Sequence, residues 1–168
     1  MFLECNDIND PFCGKIRRSA FKLAASVGNV EVLDWLWLHR SDLGLGQWLG
    51  SYLCWPTSEH DHLKVLKWAR GHGFVWNASI CSDAAKNGHL EVLKWARKNG
   101  CMWDELTCTY AAKYGHLEVL QWARENGCPW DKWTCTNAAF NGELEVLKWA
   151  RENGCPWDSS TRELAAER

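Results

Sequence analysis

Between residues 62 and 158 the apolar positions return with a helical rhythm. In LEVLKWARK, Leu90, Val92, Leu93, Trp95 and Ala96 are apolar, while Glu91, Lys94 and Lys98 are polar. At 100° per residue the apolar set spans about 220° and leaves a narrow polar stripe. A helix lying alone on a surface needs a narrower apolar arc. The pattern therefore predicts a helix packed by neighbours on more than one side.

A different pattern precedes each such stretch. Thr107, Cys108, Ala111 and Ala112 fall on one side of a helix, and Thr134, Cys135, Ala138 and Ala139 repeat those types. Small side chains at these positions let helices approach closely. Leu106, Thr109, Tyr110, Lys113 and Tyr114 fall on the other side, across about 140°. These positions vary most along the chain. They read Ser79, Ser82, Asp83, Lys86 and Asn87 one step earlier, and Trp133, Thr136, Asn137, Phe140 and Asn141 one step later.

Punctuation sets the boundaries. Asp104 is a good N-cap residue, and Asn77, Asp131 and Asp158 hold the same slot. A first helix is expected over about 105–114, stopped at Gly115 as at Gly88 and Gly142. A second helix is expected over about 117–126, ended by Asn126-Gly127 with glycine in the left-handed region. Pro129 and Pro156 suit a non-helical link.

The two helices form one unit of 27 residues, since Trp95, Trp122 and Trp149 are spaced by 27. A fixed period of this size signals stacked repeats. Residues 24–35 carry a diverged first unit, in which Ala24-Ala25, Gly28, Val32, Leu33 and Trp35 match Ala84-Ala85, Gly88, Val92, Leu93 and Trp95. From Trp35 to Trp68 is 33 residues, so six extra residues fall within 41–59. Gly44, Gly46 and Gly50 there lack the spacing and the preceding strand of a dinucleotide loop. Residues 19–168 read as one array, with units at about 19–45, 46–77 (irregular), 78–104, 105–131 and 132–158 and a partial unit at 159–168. Residues 1–18 read as an N-terminal cap or extension, with turns at Asp7, Asn9, Asp10, Pro11 and Gly14. The partial unit reads as a polar cap or as the start of a longer array.

Composition narrows the function. The 168 residues carry a net charge of −2 and no basic block, so a phosphate-tracking surface is not expected. No apolar run reaches membrane-spanning length, and the N-terminus does not read as a secretory signal. The nine cysteines are an odd number and six fall in two columns, Cys81, Cys108 and Cys135, then Cys101, Cys128 and Cys155. They are expected to be small buried packers in a reducing, cytoplasmic compartment. Of thirteen tryptophans, eight form two ladders, Trp68/Trp95/Trp122/Trp149 and Trp76/Trp103/Trp130/Trp157. These are expected in the core, since a base-stacking groove would need a basic stripe beside them.

Written as T-C-x-x-A-A-x-x-G-H-L-E-V-L-x-W-A-R-x-N-G, the unit resembles the ankyrin repeat. The phrase GHLEVLKWARENGCPWD looks most like the shortened, Trp-rich ankyrin-like repeats of large DNA viruses of protists, and of some algae and oomycetes. The resemblance implies an all-α, ankyrin-like helix-turn-helix solenoid, stacked with a right-handed sense. Thr107-Cys108-Thr109-Tyr110 stands where that family has T-P-L-H. With 27 residues instead of 33, the link is too short for long β-hairpin fingers, so only the first helices can carry the family's binding surface. The resemblance also implies protein binding, and adaptor proteins that join such arrays to an F-box segment.

The expected function is that of a non-enzymatic module binding another protein along the variable first-helix face. The candidate contacts are Asp83, Lys86, Asn87, Tyr110, Lys113, Tyr114, Trp133, Asn137, Phe140 and Asn141. No nucleic acid, membrane, small-molecule substrate, cofactor or metal is expected, and a monomer is the expected state. There is no nucleophile motif, phosphate loop or HExxH. Cys101 and Cys108 are seven apart, but their repeats lie in layers about 10 Å apart, too far for one tetrahedral zinc site. The rival reading is a metal- or thiol-dependent protein using Cys54, His60, His62 and His72 of the irregular unit, or Cys13 or Cys54 as a reactive thiol. His89 and His116 are expected to bond within the interhelix turn, where Glu143 replaces them.

Overall fold

The computed structural model describes residues 11–41, 63–74, 78–158 and 161. Among these, nine helices and no strand occur: α1 (Pro11–Ser26), α2 (Val30–Leu38), α3 (Leu63–Gly71), α4 (Ser79–Lys86), α5 (Leu90–Lys98), α6 (Glu105–Lys113), α7 (Leu117–Glu125), α8 (Lys132–Asn141) and α9 (Leu144–Glu152). The fold is an all-α, ankyrin-like helical repeat. Two compact units divide the chain, Met1–Val75 and Trp76–Arg168.

In the first unit α1 runs through Pro11 and Gly14, where the sequence suggested turns. Proline at the first helical position costs nothing, because its missing N–H would have no partner there. Asn29 caps α2 by accepting from Val32 N at 3.0 Å. Phe21, Ala24 and Ala25 of α1 bury with Leu33 and Leu36 of α2 and Val65, Trp68 and Ala69 of α3. The stripe on α2 is narrower than its match to the later repeats suggested, since Val32 and Trp35 are exposed. Asp7, Asn9 and Asp10, the stretch 42–62, the Asn77 cap and most of the partial unit 159–168 lie outside the described residues.

In the second unit three helix pairs follow one another, α4/α5, α6/α7 and α8/α9. Asp104 and Asp131 cap α6 and α8 by accepting from Leu106 N and Trp133 N. Every helix here ends in one way. At α7, Gly127 N bonds to Arg124 O and Cys128 N to Ala123 O, with Gly127 at φ 82°. This paired cap needs the left-handed region, which glycine enters without penalty. It folds the chain back so that Cys128 is buried. Asn126 adds a side-chain bond to Trp122 O at 2.8 Å, and Asn99 and Asn153 repeat it.

The first helices pack on one another through small side chains. Cys81, Ala84, Ala85, Thr107, Cys108, Ala111, Ala112, Thr134, Cys135 and Ala138 are all fully buried. Backbones therefore come close between α4 and α6 and between α6 and α8, and scarcely at all between consecutive second helices. A stack tighter on one side than the other curves towards the tight side, here that of the first helices.

Tryptophan fills the wider side. Trp103 stands edge-on to Trp122 at 5.9 Å between ring centroids, and Trp130 to Trp149 at 6.0 Å. Arg97 lies over Trp103 at 4.0 Å, Arg124 over Trp130 at 4.1 Å and Arg151 over Trp157 at 3.3 Å. Arg97 and Arg124 also donate to Cys101 O and Cys128 O. The expectation of core tryptophans holds for Trp68, but Trp95, Trp103, Trp122, Trp130, Trp149 and Trp157 are half-buried. On the second helices the deep core is Val92, Leu93, Ala96 and their equivalents, a narrower arc than the apolar pattern implied.

Candidate binding face

The same small residues that join α4, α6 and α8 leave the opposite sides of these helices free of any covering element among the described residues. Tyr114, Trp133 and Phe140 are exposed there, by 42%, 53% and 56%. These are large apolar surfaces for a water-facing position, and they sit on adjacent helices. Leu106, at the same register as Trp133, is exposed as well.

The charged neighbours fall around Tyr114. Lys86 Nζ of the preceding repeat lies 5.9 Å from the centre of its ring, and Lys113 Nζ lies 5.4 Å away. Each contact is a cation–π attraction across a partly wet surface, at about 0.5–1 kcal/mol. Lys132 takes the corresponding place over Trp133 at 5.4 Å and also pairs with Asp158 at 3.3 Å. Its role was not anticipated. Its signal in sequence was its position between the Asp131 cap and Trp133.

The other candidates divide by what they already bond. Asn87 Nδ2 donates to Asp83 O at 2.8 Å, Asn137 Nδ2 to Trp133 O at 2.9 Å and Asn141 Nδ2 to Asn137 O at 2.8 Å. Each tucks one amide hydrogen into its own helix and leaves its carbonyl oxygen facing outward as an acceptor. Asp83, Lys86, Asn87, Tyr110, Lys113 and Asn137 are half-buried, and Asn141 is exposed. Thr109 and Ser82, assigned to the variable side by the wheel, are buried instead. They sit at its edge, where the neighbouring first helix covers them.

The turns between first and second helices form the rim of the face. His116 Nε2 donates to Lys86 O at 3.1 Å, so this histidine bonds across to the preceding repeat and not within its own turn. It occupies the last carbonyl region of α4, which a donor there satisfies. Glu143 fills the same site one repeat on. A Cβ on Gly115 would lie 2.4 Å from its Oε2, and a Cβ on Gly88 would lie 2.8 Å from His116 Nδ1.

Of the alternative metal set, Cys54, His60 and His62 lie outside the described residues. His72 Nδ1 lies 2.8 Å from Trp68 O, and its ring packs on Trp37 and Trp68. No group of three or more His, Cys, Asp or Glu side chains gathers among the described residues. No helix there is long and apolar enough to cross a membrane. The six described cysteines are buried and free of disulfides. Their columns meet in a way spacing did not reveal: Cys81 lies against Cys101, Cys108 against Cys128, and Cys135 against Cys155. The sequence neighbours Cys101 and Cys108 are not partners.

Residues 108–151 match the family model described as ankyrin repeats (many copies). The match runs from the middle of α6 into the end of α9, which is the face's central and last helix pairs. No curated protein matches the chain significantly.

Proposed function

We propose that the protein is a non-catalytic binding module whose partner is another protein, held along the outer sides of α4, α6 and α8. One observation carries this reading: aromatic side chains stand exposed on consecutive first helices, while the framework beneath them repeats. Tyr and Trp are the side chains most enriched among residues that dominate binding energy. The inward curve of the stack favours a partner that lies along several repeats at once. The match of residues 108–151 to ankyrin repeats supports the same reading, because that family serves in protein recognition.

The finer reading is that the candidate contacts from Asp83 to Asn141 act together, and that the module recruits its partner as an adaptor does. We take residues 19–168 as one array, with residues 1–18 as a cap, in a chain that works as a monomer. Six buried free thiols suit a reducing compartment.

The test is capture from lysate followed by measurement on the purified partner. Wild type is compared with Tyr110→Ala/Tyr114→Ala/Phe140→Ala, and with Glu118→Ala/Glu145→Ala on the second helices. Loss of three anchors at about 1–2 kcal/mol each is expected to weaken binding by about 100-fold or more. The second-helix variant is expected to bind like wild type. Unchanged affinity in a triple variant of native circular dichroism would move the site off the first helices.

A further inference from the structure

The first helices and the links each supply one buried thiol, and the paired helix cap brings the two together. Cys108 on α6 and Cys128 at the end of the α7 cap are both fully buried and lie within hydrogen-bonding reach of each other. Cys81 with Cys101 and Cys135 with Cys155 repeat the arrangement. Cys128 Sγ is 3.4 Å from Asp104 O, and Cys155 Sγ is 3.5 Å from Asp131 O.

The polar atoms around the pair do not suit two neutral thiols. Thr107 Oγ1 and Arg124 Nε are buried and have no hydrogen-bond partner, and neither has Thr134 Oγ1 in the next repeat. All three can donate a hydrogen bond, and an unmet donor in a dry interior is costly. A thiolate is the acceptor they lack. Thr107 and Arg124 both favour the ionised form of Cys128, and the Cys108 thiol does so most strongly, so that Cys128 is drawn below the usual thiol range despite its burial. Cys135 is drawn down in the same way by Cys155 and Arg151.

We propose that each buried thiol pair is a two-sulfur site for copper(I). Soft thiolates select soft cations. Zinc would need about four ligands, and no third His, Cys, Asp or Glu joins any pair among the described residues. Copper(I) accepts two sulfur donors. The charges also close: two thiolates, one monovalent cation and the guanidinium of Arg124 leave the buried site neutral. On binding, two S–H bonds break, their protons pass to solvent, and two copper–sulfur bonds form without change of oxidation state. Cys128 lies in the link and not in a helix, so local opening of that link admits the ion.

The test is an anaerobic titration of the reduced full chain with copper(I), held against a chromophoric copper(I) chelator. Cys108→Ala and Cys128→Ala are each expected to lose about one equivalent of the uptake, as one shared site requires. Cys108→Ala/Cys128→Ala is expected to lose the same one equivalent and not two. X-ray absorption is expected to show copper with a sulfur-only, two-coordinate shell. Cys108→Ser, which keeps the size of the side chain, serves if the alanine variant loses its native circular dichroism. Uptake unchanged in these variants would overturn the proposal. So would a double variant that loses twice what each single one loses, because the thiols would then bind copper independently.

Discussion

Replacing Gly88 by alanine should destabilise the fold more than the same change at Gly127, although both glycines sit in the left-handed region. Gly88 has φ 74° and Gly127 has φ 82°. A β-carbon in that conformation costs about 1–2 kcal/mol. At Gly127 nothing lies within 4 Å of the added atom, so that is the whole cost. At Gly88 the added atom would lie 2.8 Å from His116 Nδ1 and 2.9 Å from Cε1. The ring must swing away, which breaks the bond from Nε2 to Lys86 O. That bond adds about 1 kcal/mol. Gly88→Ala is therefore expected at about 2–3 kcal/mol and Gly127→Ala at about 1–2 kcal/mol. Urea unfolding followed by far-UV circular dichroism measures both. With His116→Ala as the background, the excess at Gly88 should disappear. Equal costs at the two glycines, or an excess that survives His116→Ala, would refute the role of His116 as a clamp between repeats.

Three further outcomes follow from the same structure. Leu120 is fully buried between repeats, so Leu120→Ala should cost about 2–5 kcal/mol in chemical unfolding. Asp131→Ala removes the cap bond to Trp133 N at 3.0 Å and should cost about 1 kcal/mol, with Asp131→Asn nearly neutral. Alkaline pH should destabilise the fold: in each pair, burial and the partner thiol push Cys81, Cys108 and Cys155 well above the usual range. The unfolded chain ionises these thiols first, so their contribution is intact below about pH 8.5 and falls above it by up to about 1.4 kcal/mol per pH unit for each. Cys128 and Cys135 act in the opposite sense below that range. Unfolding free energies measured on either side of it check the sign.

What the sequence made legible was local. The Asp104 and Asp131 caps and the glycine stops depend on a few neighbouring residues, and the helices begin and end within a residue or two of where those signals stand. The small-residue side of each first helix was also legible, because Thr107, Cys108, Ala111 and Ala112 recur in type. Three features were not. The cysteine pairs arise because the paired cap folds Cys128 back towards Cys108, which linear spacing does not show. The half-burial of the tryptophans follows from the wider separation of the second helices, whereas a helical wheel counts only angle. His116 reaches Lys86 O across a repeat boundary, and nothing within its own turn announces that partner. On the candidate face, exposure of Tyr114, Trp133 and Phe140 agrees with their place on the wheel, while Thr109 at its edge is covered by the next helix.

Side-chain footprinting with hydroxyl radicals, on the protein alone and then saturated with its captured partner, tests the central claim most directly. Tyr114, Trp133 and Phe140 are exposed on the first helices, and Met102, exposed by 70% in a link between repeats, is an internal control. The account predicts that the partner protects the three aromatic residues and leaves Met102 as reactive as before. Protection of Met102 with Tyr114, Trp133 and Phe140 unchanged would contradict it.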